Sequence, residues 1–212
     1  MSKIIFPESE SPETLGIHVR PFYEKEKSLF EAIINGANAG VKMIVGIVAL
    51  LIAVLGLVAL IDLFLSTLGT KVLGLETELS LKTILGYIFY PFTIILGVPA
   101  SDAGVISKII GERVIVTEVV AYKDLAAALA ESSLQYPRRS AVVTTYALCG
   151  FAHLASMAIF VGGVSALAPD KTRDIARVAL RALLAATLAC LLTGCIAGTF
   201  YTEAKASILF GE

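Results

Sequence analysis

Two apolar runs, each too short to cross a bilayer, flank a polar triplet in the middle of this chain. The first run covers Ala103–Ile110, the triplet is Gly111–Arg113, and the second run covers Val114–Tyr122. A helix rises about 1.5 Å per residue, so neither run spans the roughly 30 Å of hydrocarbon in a bilayer. The second run also contains an acidic residue, Glu118. An ionisable side chain at membrane depth indicates a functional site, unless Glu118 faces water or a helix end.

The composition indicates a membrane protein. Of 212 residues, 57% are hydrophobic and 17% are charged, whereas soluble domains carry roughly 25% charged residues. The net charge of −1 gives no basic surface for nucleic acid, so none is expected as a partner. Cys149, Cys190 and Cys195 lie in apolar segments, and their spacing to the histidines predicts neither a disulfide framework nor a metal site. Residues 1–20 lack the apolar core of a signal peptide.

Four longer stretches have the composition of membrane elements. Met43–Ile61 and Ala182–Thr202 are uncharged and long enough to span, and Gly36–Gly40 at the entry to the first has the small-residue spacing of close helix contacts. Thr83–Ser101 contains two prolines and clustered aromatic residues, which favours an interfacial or bent arm. Ser140–Pro169 has no formal charge unless its histidine is protonated.

These stretches predict an all-α integral membrane fold with three full transmembrane helices, one of them broken mid-membrane, an interfacial or bent arm and one re-entrant helical hairpin. The two half-length runs form the hairpin, with the polar triplet as its tip; a surface amphipathic pair is the alternative. Re-entrant backbone is tolerated only where protein or a water-filled cavity surrounds it. The predicted segments are a polar cytoplasmic segment at 1–34, a transmembrane helix at 35–70, the arm at 80–101, the hairpin at 102–137, and the broken and final helices at 138–212.

The third span is predicted to be interrupted near its middle. Ser140–Pro169 is longer than a straight crossing needs, and Gly150 weakens the helix. His153 and Ser156 stand three residues apart and share one face. An interrupted helix exposes backbone groups and half-helix ends that can hold a ligand or ion. Alone, His153 is better explained as a core histidine bonded to a neighbouring carbonyl; beside a hairpin that carries Glu118, we expect a site.

Basic residues predict the orientation. The positive-inside rule places the loop between the last two spans in the cytoplasm, because it carries Lys171, Arg173, Arg177 and Arg181. The leading segment, with Lys3, Arg20, Lys25 and Lys27, is predicted on the same side. The protein is then a multi-pass protein of the cell inner (plasma) membrane, with its N-terminus cytoplasmic and its C-terminus outside. Four basic residues fall on the opposite side: Lys71, Lys82, Arg138 and Arg139.

Eight segments, spread in one order over nearly the whole chain, match the pattern of a known family: Phe6–Glu10, Asn35–Lys42, Ile84–Pro91, Leu96–Val98, Thr117–Tyr122, Tyr146–Ala152, Ala166–Pro169 and Ile196–Gly198. On these segments the chain resembles the C-terminal half of the concentrative nucleoside transporter family.

The resemblance implies a transporter built from two inverted repeats, of which this chain is the second. Such proteins import nucleosides with Na⁺ or H⁺, are typically trimers, and hold substrate between two hairpins and two broken helices. Residue by residue, Glu118 is then the hairpin acid that hydrogen-bonds the ribose, Phe151 packs near the substrate, and Ser156 also reaches the ribose. No cofactor is expected, and the substrate is a nucleoside-like small molecule.

The chain departs from the family pattern at two positions of this site. Thr117–Val119 stands where the family usually has Asn-Glu-Phe, and Gly150–His153 stands where it usually has Gly-Phe-Ala-Asn. The replaced Asn is implied to bind ribose. A neutral His can also donate and accept, through different nitrogens, but its ring is larger and titrates near neutrality. His153 opposite Glu118 is therefore also a candidate for proton coupling.

The first repeat, with its own hairpin and the Na⁺ ligands that the resemblance implies, has no counterpart in this sequence. Three arrangements are open: a separate first-repeat partner subunit, a fragment of a longer product in which Met1 is an internal methionine, or a half that assembles with copies of itself. A non-transporting, gate-like nucleoside-recognition membrane subunit is the alternative function. An enzyme is not expected, because the sequence has no nucleophile–base pair, metal cluster or phosphate loop, and Gly162–Gly163 is read as helix packing.

Overall fold

A computed structural model describes residues 1–8, 28–71 and 79–202, and within these ranges the chain is helical and has no β-strand. Its elements are α1 (Ser2–Ile5), α2 (Leu29–Lys71), α3 (Leu81–Ile95), α4 (Ala100–Arg113), α5 (Glu118–Ala130), α6 (Pro137–Leu148), α7 (Leu154–Leu167), a 3-10 turn (Pro169–Lys171) and α8 (Thr172–Thr199). The all-α prediction is therefore confirmed. Most of the predicted N-terminal segment and the predicted outer C-terminus, residues 9–27 and 203–212, lie outside the described residues.

Among the described residues, two stretches are long and apolar enough to cross a membrane, Leu29–Gly69 and Pro169–Thr199. The third expected crossing consists of α6 and α7, neither of which is long enough alone. Helix α2 begins at Leu29, before the predicted boundary at residue 35. The predicted arm contains α3, which continues through Pro91 as a helix and ends before Gly97, whose φ of +87° turns the chain toward α4.

Helices α4 and α5 pack against each other and are joined by residues 114–117. The predicted break at Gly111–Arg113 was wrong, because all three residues belong to the last turn of α4. Each has a helical role that the sequence hides. Gly111 lets α4 approach the α3 backbone, where an added Cβ would lie 2.8 Å from the Leu85 carbonyl carbon. Glu112 and Arg113 pair with residues distant in sequence and remain helical. The loop between the two helices is therefore residues 114–117, and α5 begins at Glu118.

The core lies among α3, α4, α5, α6 and α8, and includes Phe89, Ile106, Leu125, Leu148 and Leu191. The base of the α4–α5 pair is fixed by a buried acid, Asp102. Its carboxylate accepts hydrogen bonds from the Gln135 and Tyr136 backbone N–H groups at 2.8 and 3.0 Å and from the Ser140 hydroxyl at 2.6 Å. A buried carboxylate with this many donors is well compensated, so Asp102 anchors the hairpin to the start of α6.

Glycines set the crossing of α2 and α7. A Cβ at Gly162 would lie 2.7 Å from the Gly46 carbonyl oxygen, and one at Gly46 would lie 3.0 Å from the Gly162 carbonyl oxygen. The reading of Gly162–Gly163 as helix packing is therefore confirmed. By contrast, the small residues Gly36 and Gly40 have nothing within 4 Å of an added Cβ, so the close contact predicted there is not made by the described residues.

Replacing Gly46 with Leu should lower the free energy of unfolding by about 1–3 kcal/mol, because α2 and α7 would have to separate. The measurement is thermal unfolding of the detergent-solubilised protein. Gly56→Leu is the matched control: it is the same exchange in the same helix, at a glycine with open space around it. Because leucine is the better helix former, Gly56→Leu should not lower stability, and an equal loss in the two variants would show that the crossing is not its cause.

Candidate functional site

The loop between α4 and α5 docks on the interruption between α6 and α7. The Leu154 backbone N–H, at the start of α7, donates a 2.9 Å hydrogen bond to the Val114 carbonyl of the loop. Helix α6 ends at Leu148, and residues 149–153 link it to α7 without regular helix. Glycine lets this link pass close to α8, because an added Cβ at Gly150 would collide with Cys190 Sγ and force that side chain to move. The interruption therefore brings the hairpin loop and a helix start together.

Side chains of the hairpin occupy carbonyls at the end of α6. The Tyr122 hydroxyl donates to the Thr145 carbonyl at 2.9 Å, and Arg113 Nη1 donates to the Ala147 carbonyl at 3.0 Å. Carbonyls at a helix C-terminus lack intrahelical partners and favour cations. These particular groups were expected to be open to a ligand or ion, and here they bind the chain's own hairpin instead.

His153 caps α7. The ring nitrogen Nδ1 accepts a 3.0 Å hydrogen bond from the Ser156 backbone N–H, and the His153 backbone N–H donates to Ser156 Oγ at 2.9 Å. The Ser156 hydroxyl in turn donates to the His153 carbonyl at 2.7 Å. This reciprocal pairing is a capping box in which histidine replaces the usual short polar residue. Because Nδ1 accepts, the neutral ring carries its proton on Nε2.

The protonated nitrogen of His153 faces Glu118. Nε2 lies 2.7 Å from Glu118 Oε2, and the exposed fractions of the two side chains are 1% and 26%. Neither atom makes a well-aligned hydrogen bond among the described residues, so with a neutral ring the attraction is that of the Nε2–H dipole for the carboxylate. Glu118 is the first residue of α5, where the helix N-terminus favours a carboxylate. Its partial exposure leaves a negatively charged acceptor open to a ligand.

Phe151 extends this site as an exposed aromatic surface. Its ring meets the His153 ring edge-on, with centroids 4.9 Å apart, and meets Phe160 at 6.0 Å. Phe151, Ser156 and Phe160 also line an apolar cavity of about 250 Å³ between α7 and α8. The structure thus groups four of the predicted site residues, Glu118, Phe151, His153 and Ser156. Thr117 precedes Glu118 as the N-cap of α5, and its hydroxyl makes no capping bond.

The sequence reading missed Arg113 and Tyr122, which hold the hairpin to α6. Arg113 is fully buried, and its Nε and Nη2 have no hydrogen-bond partner among the described residues. The signal in the sequence is an arginine directly before an apolar run. This position fits a polar loop as well as it fits a buried side chain that binds a carbonyl. Within the part of the chain that the structure describes, no group of three or more histidine, cysteine or acidic side chains could hold a metal ion.

A family model described as "Na+ dependent nucleoside transporter C-terminus" matches residues 1–198. Nucleoside permease NupC of Helicobacter pylori is 38% identical over 200 residues, which cover 94% of this chain and 47% of that protein. Solute carrier family 28 member 3 of Mus musculus is 36% identical over 210 residues, which cover 93% of this chain and 30% of that protein. The chain therefore spans less than half the length of these two relatives.

Solved structures agree with the sequence relatives. A CNTnw variant in an outward-facing state has a TM-score of 0.78 at 34% identity, covering 84% of this chain and 44% of that chain. CNTnw in an inward-facing substrate-bound state has a TM-score of 0.62 at 32% identity, covering 99% and 47%. The named relatives are transporters and permeases, which confirms that the chain is not an enzyme. Taken with the match over residues 1–198, they show that the chain belongs to the Na⁺-dependent nucleoside transporter family and corresponds to its C-terminal part.

Proposed function

We propose that this chain forms the substrate-binding second half of a Na⁺-coupled nucleoside transporter that imports its substrate by alternating access. One observation carries the proposal: Glu118, partly exposed at the start of α5, lies 2.7 Å from a histidine that caps the second half of an interrupted helix. A partly enclosed carboxylate is a strong acceptor for hydroxyl groups, because hydrogen bonds to charged groups are about twice as strong as neutral ones. A sugar presents such hydroxyls.

Each side chain has a distinct task in this proposal. Glu118 accepts a ribose hydroxyl, and His153 holds the carboxylate from behind through its Nε2 proton. Phe151 offers an exposed ring against which apolar parts of the substrate can pack. The Ser156 hydroxyl accepts from the His153 backbone N–H and donates to the His153 carbonyl, so it holds the backbone of the cap, while the Ser156 N–H fixes the His153 ring. Thr117 lies beside Glu118 with an available hydroxyl for a further substrate contact.

The proposed membrane arrangement follows the predicted one. Helices α4 and α5 form a re-entrant hairpin, and α6 with α7 completes a third crossing between the two long apolar helices. The protein is multi-pass in the plasma membrane, with its N-terminus cytoplasmic and its C-terminus outside. The other wall of the site comes from a first-repeat half, either a partner subunit or the remainder of a longer chain, and the complete transporter assembles as a homotrimer.

Na⁺ is the proposed coupling ion, bound on the first-repeat half. The description of the matching family model supports Na⁺, and the His153 geometry argues against a proton carried on that ring. A second proton would sit on Nδ1, where the Ser156 N–H already donates. Taking it up would require breaking the cap of α7.

The proposal predicts Na⁺-dependent nucleoside uptake. The complex purified through a tag on this chain is reconstituted into liposomes and assayed with a panel of purine and pyrimidine nucleosides. Uptake of at least one nucleoside should appear with an inward Na⁺ gradient and be lost when choline replaces Na⁺. Binding without flux under every gradient would instead identify a gate-like recognition subunit. Equal uptake in choline, driven by a proton gradient, would refute Na⁺ coupling.

A further inference from the structure

A second charged cluster lies behind the hairpin loop and takes no part in the proposed site. Lys82 Nζ of α3 lies 2.5 Å from Glu112 Oε2 and 2.6 Å from Asp124 Oδ2. Glu112 stands in the last turn of α4 and Asp124 in the second turn of α5. A single ammonium group therefore bridges the two arms of the hairpin and ties both to a third helix.

The cluster is close to the functional carboxylate along both arms. Glu112 and Asp124 flank the loop on either side, and each is six residues from Glu118 in sequence. Along α5 this separation corresponds to about 9 Å. A displacement of Asp124 would therefore move Glu118, because less than two turns of α5 separate the two residues.

The distance between α4 and α5 depends on Lys82, because its ammonium lies between the carboxylates of Glu112 and Asp124. Glu112 is the most enclosed of the three, with 12% of its side chain exposed, against 34% for Asp124 and 42% for Lys82. Two carboxylates held by one ammonium repel each other when that ammonium is removed, and burial strengthens the repulsion because water screens it less. Without Lys82, the favourable response is for α4 and α5 to move apart.

We propose that Lys82 is a positioning residue that holds the two arms of the hairpin together and thereby sets Glu118 against His153. This inference rests on the proposed function for its consequence in binding, but not for the clamp itself. Among the described residues, Lys82 pairs with Glu112 and Asp124, whereas Glu118 faces His153. It acts on the site through the separation of α4 and α5.

The test compares Lys82→Met with the double variant Lys82→Met/Glu112→Gln in the complex purified through this chain. The single variant should weaken nucleoside binding about tenfold, since a displaced carboxylate forfeits most of its hydrogen bond to substrate. The double variant should recover most of that loss, because Glu112→Gln removes the repulsion between the arms. Lys108→Met, an exposed lysine on α4, is the control and should bind like the wild type.

A second readout follows the clamp without any nucleoside. Amide hydrogen exchange of residues 114–117 should be faster in Lys82→Met and return toward wild type in the double variant. The clamp is overturned if exchange in this loop is unchanged by Lys82→Met, or if Glu112→Gln does not reverse the effect. A complex that binds no nucleoside refutes the proposed function, while the exchange experiment still decides the clamp. A lowered melting temperature with normal binding and normal exchange would assign Lys82 a purely structural role.

Discussion

Glu118→Gln should reduce nucleoside affinity by roughly 10- to 150-fold, the equivalent of the 1.5–3 kcal/mol that a hydrogen bond to a charged group contributes. The amide keeps the size of the side chain and an oxygen that can face His153 Nε2. It loses the negative charge that makes the partly exposed carboxylate a strong acceptor for a hydroxyl. The fold should change little, since the charge at the start of α5 contributes only about 0.3–1 kcal/mol to the helix.

The measurement is equilibrium binding of a nucleoside to the purified complex, with unfolding temperature recorded in parallel. Glu131→Gln provides the control, because Glu131 is exposed at the C-terminal end of the same helix. We expect the Glu131 variant to bind normally. Wild-type affinity in the Glu118 variant would remove this carboxylate from the site, and with it the observation on which the proposed function stands.

His153→Leu should damage both the fold and the site, whereas His153→Asn should spare the fold. Leucine cannot accept the Ser156 N–H, so the capping bond of α7 is lost at a cost of about 0.5–2 kcal/mol. It also leaves Glu118 Oε2 enclosed beside an apolar group, which disfavours the carboxylate. Asparagine is among the best N-cap residues, and the resemblance noted from the sequence places an asparagine here.

Thermal unfolding and nucleoside binding separate these two effects. The Leu variant should unfold at lower temperature and bind weakly, and the Asn variant should stay near wild type in stability. Equal stability of wild type and the Leu variant would contradict the capping role. A third substitution tests proton coupling: a His153→Gln variant with unchanged uptake, and wild-type uptake that does not vary with pH, would exclude a proton carried on this ring.

Much of the architecture can be predicted from the lengths of the apolar runs. Runs too short to cross a bilayer correspond to the short helices α4 and α5, and the uncharged third stretch corresponds to two helices with a break beside Gly150. The position of the hairpin loop could not be predicted, because it depends on partners far away in the sequence. Glu112 is paired by Lys82 and Arg113 by the Ala147 carbonyl, so these charged residues continue a helix that they would otherwise end.

The residues of the candidate site could be predicted from the sequence, but their arrangement could not. Spacing placed His153 and Ser156 on one helix face, whereas the structure shows them closing a cap at the helix start. A histidine in the capping position is not part of the usual sequence signature for a helix start. The approach of His153 to Glu118 depends on how α5 meets the interrupted helix, which is a tertiary contact that no local pattern encodes.

The docking of the hairpin loop on α7 relies partly on a bond between main-chain atoms, from the Leu154 N–H to the Val114 carbonyl. Ordinary substitutions keep both atoms, and only proline at 154 would delete the donor. This hydrogen bond is therefore kept when most side chains around it are substituted. Neighbouring side chains can diversify toward new cargo while the relative placement of loop and helix is inherited unchanged. Substrate selectivity can therefore change during evolution without a change in how the loop and the helix are placed.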